Sequence, residues 1–203
     1  WHSRQEAQHD PKRNDSTPVP RTGVESFRFG SCCASWRECQ PGDLFVAVTT
    51  ADGDGHDDVD RAVARGAIGV LAERLVPAVV PAFVVEDTRE AYGHICHLLA
   101  GRPSSQLHMI GVAGSSGKTS TIRVIESMFA EAGRTVAIAS DERWFAPTGA
   151  TFDDQPTARP AQPTPPNIVS GLSDASACGL AHAVLELSAL DLARRTWAGT
   201  ELD

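Results

Sequence analysis

The stretch Met109-Ile-Gly-Val-Ala-Gly-Ser-Ser-Gly-Lys-Thr-Ser-Thr-Ile122 decides how this chain is read. Its apolar lead-in, Met109, Ile110 and Val112, reads as a buried strand. Gly114-Ser115-Ser116-Gly117 follows as a turn of small residues, and then Lys118-Thr119-Ser120. Thr121 to Ala132 has helical period, with Ile122, Ile125, Met128 and Phe129 on one face. Strand, glycine loop, Lys-Thr and helix in that order make a phosphate-binding layout. Small residues let backbone N–H groups approach phosphate oxygens, and the helix N-terminus adds partial positive charge. Gly114 through Ser120 would cradle ATP, Lys118 would reach the β- and γ-phosphates, and the Thr119 hydroxyl would ligate Mg²⁺. The common pattern places a glycine five residues before the Gly-Lys pair; Val112 stands there, and the glycine falls at Gly114.

Downstream, Ala183-Val-Leu-Glu-Leu-Ser188 is an apolar strand with one acid near its carboxyl end. Ligands of open α/β sheets gather at the carboxyl ends of strands. With a phosphate loop in the same chain, Glu186 is the second Mg²⁺-ligand candidate, and Lys118 and Glu186 are the candidate catalytic pair. The bland alternative is a strand-end glutamate facing solvent.

Composition bounds the rest. The 203 residues allow one or two domains, and 41% hydrophobic content is ordinary for a soluble fold. A net charge of −8 argues against a nucleic-acid backbone binder. The longest apolar run, Val76 to Val85, is interrupted by Pro77 and Pro81, so no membrane insertion or signal peptide is expected. Five cysteines without a repeating pair pattern point to free thiols in a reducing compartment. Cys32, Cys33, Cys39, His94, Cys96 and His97 fit no standard zinc spacing. The chain opens on Trp1 and reads as a fragment.

Residues 1–22 are polar and proline-bearing and read as a disordered lead. Residues 23–105 read as a small α/β domain. Its strands are expected at Phe27–Gly30, Leu44–Val48, Ala67–Leu71 and Ala82–Val85. Helices are expected at Val59–Arg65 and at Thr88–Ala100, the latter with Ala91, Ile95, Leu98 and Leu99 on one face; Thr49–His56 reads as a loop. Gly101 to Gln106 is a linker signal, and residues 106–203 read as the start of a parallel-sheet ATPase domain of the phosphate-loop type. In that part a strand is expected at Thr135–Ala139, a long proline-rich loop at Phe145–Pro166 and a helix at Asn167–Ala177.

Gly-Val-x-Gly-x-x-Gly-Lys-Thr-x-Thr resembles the ATP loop of the Mur ligases. Pro41-Gly-Asp-Leu-Phe-Val-Ala47, Asp54-Gly55-His56 and Arg65-Gly66-Ala67 resemble the amino-terminal domain of the member that adds the third residue of the peptidoglycan stem peptide. The resemblance covers Gly30 to Asp203. It implies a cytoplasmic, ATP- and Mg²⁺-dependent ligase that joins an amino acid, diaminopimelate or lysine, to UDP-N-acetylmuramoyl-L-alanyl-D-glutamate through an acyl phosphate. It implies uridine-nucleotide contacts at Arg37 and in the loop Ala51, Asp52 and Gly53. It also implies muramoyl-peptide contacts at Thr164, Ser188 and Arg194. Three positions depart from the family pattern: Trp36 replaces a serine, Pro163 a threonine and Leu190 a histidine. Two other readings stay open, a different Mur or folylpolyglutamate-type ligase and a non-catalytic nucleotide-binding module. Little or no ligase activity is expected of these 203 residues alone.

Overall fold

The computed structural model describes residues 27–50, 53–148 and 159–203. The expected disordered lead, Ala51, Asp52 and residues 149–158 of the proline-rich loop lie outside these residues. Two four-stranded sheets and a small hairpin make up the frame.

The first sheet begins with β1 (Cys32–Cys33) and β2 (Leu44–Val46). A hairpin of β3 (Thr49–Thr50) and β4 (Gly53–Asp54) follows, then helix α1 (Val59–Ala64). β5 (Gly69–Ala72), β6 (Ala82–Val84) and helix α2 (Thr88–Leu99) complete this half. The order is β1-β2-β5-β6, all parallel, with Leu44, Phe45 and Val46 opposite Gly69, Val70 and Leu71. β2 and β5 are buried along their whole length, as continuous apolar runs covered on both faces should be. Phe45, Val59, Ala62 and Val70 form the core on one face; Val46, Leu71, Tyr92 and Cys96 form it on the other.

The second sheet is built from β7 (His108–Ala113), helix α3 (Lys118–Glu131), β8 (Ala137–Ala139), β9 (Ala146–Pro147), helix α4 (Pro165–Ala177), β10 (His182–Leu187) and the short helix α5 (Ala189–Ala193). Its order is β7-β10-β8-β9, parallel except for the edge strand β9. α3 seals one face through Ile122, which meets Val136, Ile138 and Val184; α4 seals the other through Ile168 and Leu172 against Met109 and Leu185. Helices on both faces of a parallel sheet are the arrangement expected from the alternation of elements.

The halves meet through α4, whose Val169 joins the core of the first sheet. They also meet where α2 passes Ala198. A Cβ at Gly93 would lie 2.3 Å from the Ala198 carbonyl oxygen, so this crossing needs a residue without a side chain. Arg195 ties the same region, pairing with Asp87 at 2.7 Å and Glu90 at 2.8 Å.

Several expectations are corrected. No strand forms at residues 27–29; the edge strand is Cys32–Cys33, where pairing to Leu44 and Phe45 is available. The 49–56 stretch holds a hairpin and a 3₁₀ turn, because Asp54 caps Gly55–Asp58 by accepting the His56 N–H. α2 buries Thr88, Tyr92 and Cys96, and leaves Leu98 and Leu99 exposed. Met128 is 66% exposed, so the α3 core face runs through Ile122, Ile125 and Phe129. The expected linker is partly built in, with Pro103–Gln106 a 3₁₀ turn whose Ser104 is buried. Cys33 and Cys39 are joined in a disulfide, because the turn at Ser35–Cys39 folds the chain back on itself. Cys32, Cys96 and Cys178 are free. No helix among the described residues is long and apolar enough to cross a membrane.

Candidate functional site

The loop after β7 is exposed from Ala113 to Gly117, and α3 starts at Lys118. Gly117 occupies the helix N-cap position with φ +79°, a conformation that L side chains rarely adopt, and no side chain caps the helix. The first backbone N–H groups of this 14-residue helix therefore open onto the loop. Residues Gly114 through Ser120 lie together there, as the spacing requires.

Register then decides where Glu186 goes. β10 pairs β7 in parallel, with Glu186 opposite Val112 and Leu187 opposite Ala113. The carboxylate emerges beside the loop and is 3% exposed. The Thr119 hydroxyl donates to Oε1 at 3.3 Å and lies 3.4 Å from Oε2; the Lys118 Nζ is 3.7 Å from Oε1. The Asp141 N–H donates to Oε2 at 3.4 Å. Residues 67 apart in sequence thus converge, which removes the reading of Glu186 as a solvent-facing strand end. Hydroxyl and carboxylate oxygens within reach of each other suit a hard cation such as Mg²⁺, and the helix N-terminus beside them suits an anion.

A cavity of about 700 Å³ adjoins this corner. It opens beyond the carboxyl ends of β1, β2, β8 and β10, between the two sheets. Thr49, Thr50 and Arg89 line it from the first half, and Thr164, Ser188 and Arg194 from the second. Thr164 starts α4, its N–H donating to Asn167 Oδ1 at 3.1 Å. Ser188 starts α5, accepting the Asp191 N–H at 3.0 Å and donating to Asp191 Oδ2 at 2.6 Å. Arg194 is exposed and has no ion pair among the described residues, which leaves a cation free on the wall.

The other expected contacts sit elsewhere. Arg37 is exposed, with its guanidinium 4.7 Å from the centre of the Trp36 ring, and does not line the cavity. Trp36 packs on the core under α1, so the loop leaves the cleft wall after Ala34. Gly53 lies in the hairpin next to the cavity wall formed by Thr50. Leu190 presents an apolar side chain, 56% exposed, to the cavity. The cysteines and histidines do not assemble into one metal site. Among the described residues the one such group is Cys33, Cys39 and Asp43, and two of its members are bonded to each other.

Two features escape sequence reading. One is Arg159, whose guanidinium pairs with Asp191 at 2.7 Å and with Asp141, inside the cavity lining. The other is the clamp that holds the hairpin. His56 is buried; its Nε2 accepts the Glu73 N–H at 3.0 Å, so Nδ1 carries the ring proton and donates to Asp54 at 2.5 Å. Asp54 also accepts from Arg74 at 2.8 Å. The His56 backbone N–H, then Arg74, then the His56 ring hold the Asp54 carboxyl well below the usual carboxylate range.

A carboxyl held low contributes stability that is whole above its unfolded pKa and is lost as pH falls through the folded value. The melting-temperature gap between wild type and Asp54→Asn should therefore be widest near neutrality and narrow below about pH 4, where an unfolded aspartate takes up its proton. A gap unchanged down to about pH 3 would mean the clamp does not act through this charge.

Comparison with known proteins shows a likeness in sequence and fold. The UDP-N-acetylmuramoyl-L-alanyl-D-glutamate–2,6-diaminopimelate ligase of Geobacillus thermodenitrificans is 40% identical over 102 residues, 50% of this chain and 21% of that protein. The ligase of the same name from Aquifex aeolicus is 41% identical over 102 residues, again 50% of this chain and 21% of that protein. A solved structure of a ligase of that name matches with a TM-score of 0.67 at 20% identity, covering 86% of this chain and 35% of that one. No family model matches the chain. The chain spans about a fifth of the length of these curated relatives. The resemblance read from the motifs is borne out, and so is the α/β class with a parallel sheet.

Proposed function

We propose that this chain carries the phosphate loop and the nucleotide-peptide cleft of an ATP-dependent acid–amino-acid ligase. On this reading residues 23–105 and 106–203 are its uridine-nucleotide domain and the first part of its ATPase domain. The substrate on this reading is UDP-N-acetylmuramoyl-L-alanyl-D-glutamate, and the relatives' names favour diaminopimelate over lysine as the amino acid added. Both nucleotides are water-soluble, and the reading puts the protein in the cytoplasm.

The observation that carries this proposal is the meeting of Thr119 and Glu186 at 3.3 Å beside the open N-terminus of α3, with Ser188 of the cavity wall two residues further on. A phosphate chain on the loop would present its terminal group toward the cleft. Lys118 would offset charge on the β- and γ-phosphates, and the α3 N–H groups would hold their oxygens. Arg194, a cleft-wall cation with no ion pair among the described residues, would take an anionic group of the nucleotide-peptide. Bound Mg²⁺, held by Thr119 and Glu186, would supply charge neutralisation and a fixed phosphate geometry.

The chemistry then needs positioning above all. The free carboxylate of the nucleotide-peptide attacks the γ-phosphorus; an O–P bond forms, the bond to the β-phosphate bridge oxygen breaks and ADP leaves. The amine of the incoming amino acid next attacks the acyl carbon and inorganic phosphate leaves, with the amine proton lost to solvent. Holding carboxylate and phosphate in line replaces a costly bimolecular encounter.

Leu190 favours a second reading, a module that binds both nucleotides without turnover, because an apolar side chain faces the cleft where the family has histidine. Amide shift mapping of the 203-residue chain with UDP-N-acetylmuramoyl-L-alanyl-D-glutamate tests what both readings share. Shifts should centre on Thr49, Thr50, Thr164, Ser188 and Arg194. A spectrum unmoved at about millimolar ligand would remove the cleft assignment.

A further inference from the structure

Arg159 belongs to no motif, yet it joins three chain segments at the cleft. Its guanidinium is 13% exposed and lies 5.9 Å from the centre of the Trp144 ring. It donates to Asp191 Oδ2 at 2.7 Å and also pairs with Asp141. The two acids differ in what they need. Asp141 is 67% exposed and has water as an alternative partner. Asp191 is 6% exposed, and the oxygen that meets Arg159 also accepts the Ser188 hydroxyl at 2.6 Å. Without Arg159 that buried carboxylate would lose its cation, and a buried charge stripped of its partner reorganises its surroundings.

The geometry points to Arg159 as a positioning residue of the cleft. Through Asp191 it fixes the direction of the Ser188 hydroxyl. Its own backbone begins the segment that runs through the cavity wall to Thr164. Through Asp141, whose N–H reaches Glu186, it links both to the phosphate end of β10. A planar fork meets two carboxylates arriving from different elements; a lysine ammonium, one point charge on a flexible stem, would not hold both in the same orientation. This inference rests on the cleft assignment proposed above.

Calorimetry on the whole chain separates the possibilities, with UDP-N-acetylmuramoyl-L-alanyl-D-glutamate and Mg-ATP titrated in parallel. Arg159→Met should weaken the nucleotide-peptide by about 10- to 100-fold, the range of a lost charge-assisted contact. Arg159→Lys should recover only part of that affinity. Asp191→Asn should weaken the nucleotide-peptide as well, and the double variant should be no weaker than the worse single one, since both act on Ser188 as a unit. Mg-ATP affinity should hold within about twofold, which a general loss of structure would not allow. Undiminished nucleotide-peptide binding by Arg159→Met overturns the inference alone, and so does a parallel loss of both ligands. Wild type that binds Mg-ATP but no nucleotide-peptide overturns the cleft reading and this inference with it.

Discussion

Lys118→Ala is expected to weaken Mg-ATP binding by about 10- to 100-fold, which corresponds to the roughly 1.5–3 kcal/mol of a hydrogen bond to a charged group. Lys118 is the first residue of α3, directly after a glycine in left-handed conformation, and its side chain is 18% exposed. Its Nζ lies 3.7 Å from Glu186 across the mouth of the loop, so it is already held where a β- or γ-phosphate would arrive. A bound phosphate chain would compete for that ammonium, and Glu186 would be left to the metal. Alanine removes the cation but keeps the helix, since alanine is the best helix former. Calorimetry on wild type and variant reads the loss, and a melting curve on each shows that the fold is intact. Equal affinities would show that the loop does not hold the phosphates.

Glu186→Gln should act through magnesium. The amide keeps the shape of the side chain and removes its charge in a place that is 3% exposed. In wild type, added Mg²⁺ should raise the affinity for ATP if Thr119 and Glu186, which meet at 3.3 Å, offer their oxygens to one cation. In the variant that increment should shrink by about tenfold or more, while binding of metal-free ATP holds or improves because one negative charge is gone. The check is the ratio of ATP affinities with Mg²⁺ and with chelator, in each protein. A ratio unchanged by the substitution would make Glu186 a structural partner of Lys118 and nothing more.

That these two residues would come together was legible in the sequence for a simple reason. The phosphate loop is local, and its spacing states the backbone it needs. Glu186 is remote from it, but an acid at the carboxyl end of an apolar strand has one destination once that strand pairs with β7. Thr164, Ser188 and Arg194 were legible through the family resemblance, and the structure gathers them on one cavity.

Arg159 was not legible. Its partners lie 18 and 32 residues away on separate elements, and no spacing rule links a proline-rich loop to either. Arg37 is the converse case, a residue whose place in the fold the resemblance did not reveal. The arginine is kept, but Trp36 packs inward and the guanidinium stacks on that ring, outside the cavity lining. The hairpin at 49–54 was hidden by its glycine and aspartates, which read as loop while Asp54 was in fact organising a clamp with His56 and Arg74. On α2, Leu98 and Leu99 suggested a buried face. The close crossing at Gly93 turns Tyr92 and Cys96 inward instead.

The central claim is that one metal-nucleotide site lies between the phosphate loop and the end of β10. Its most direct test replaces Mg²⁺ with paramagnetic Mn²⁺ in the presence of a non-hydrolysable ATP analogue and maps the amide signals that broaden. The account predicts broadening centred on Gly114 to Ser120, Asp141 and Glu186 to Ser188, dependent on the nucleotide and lost on adding excess Mg²⁺. Broadening that is centred elsewhere, or that leaves Thr119 and Glu186 sharp, would contradict it.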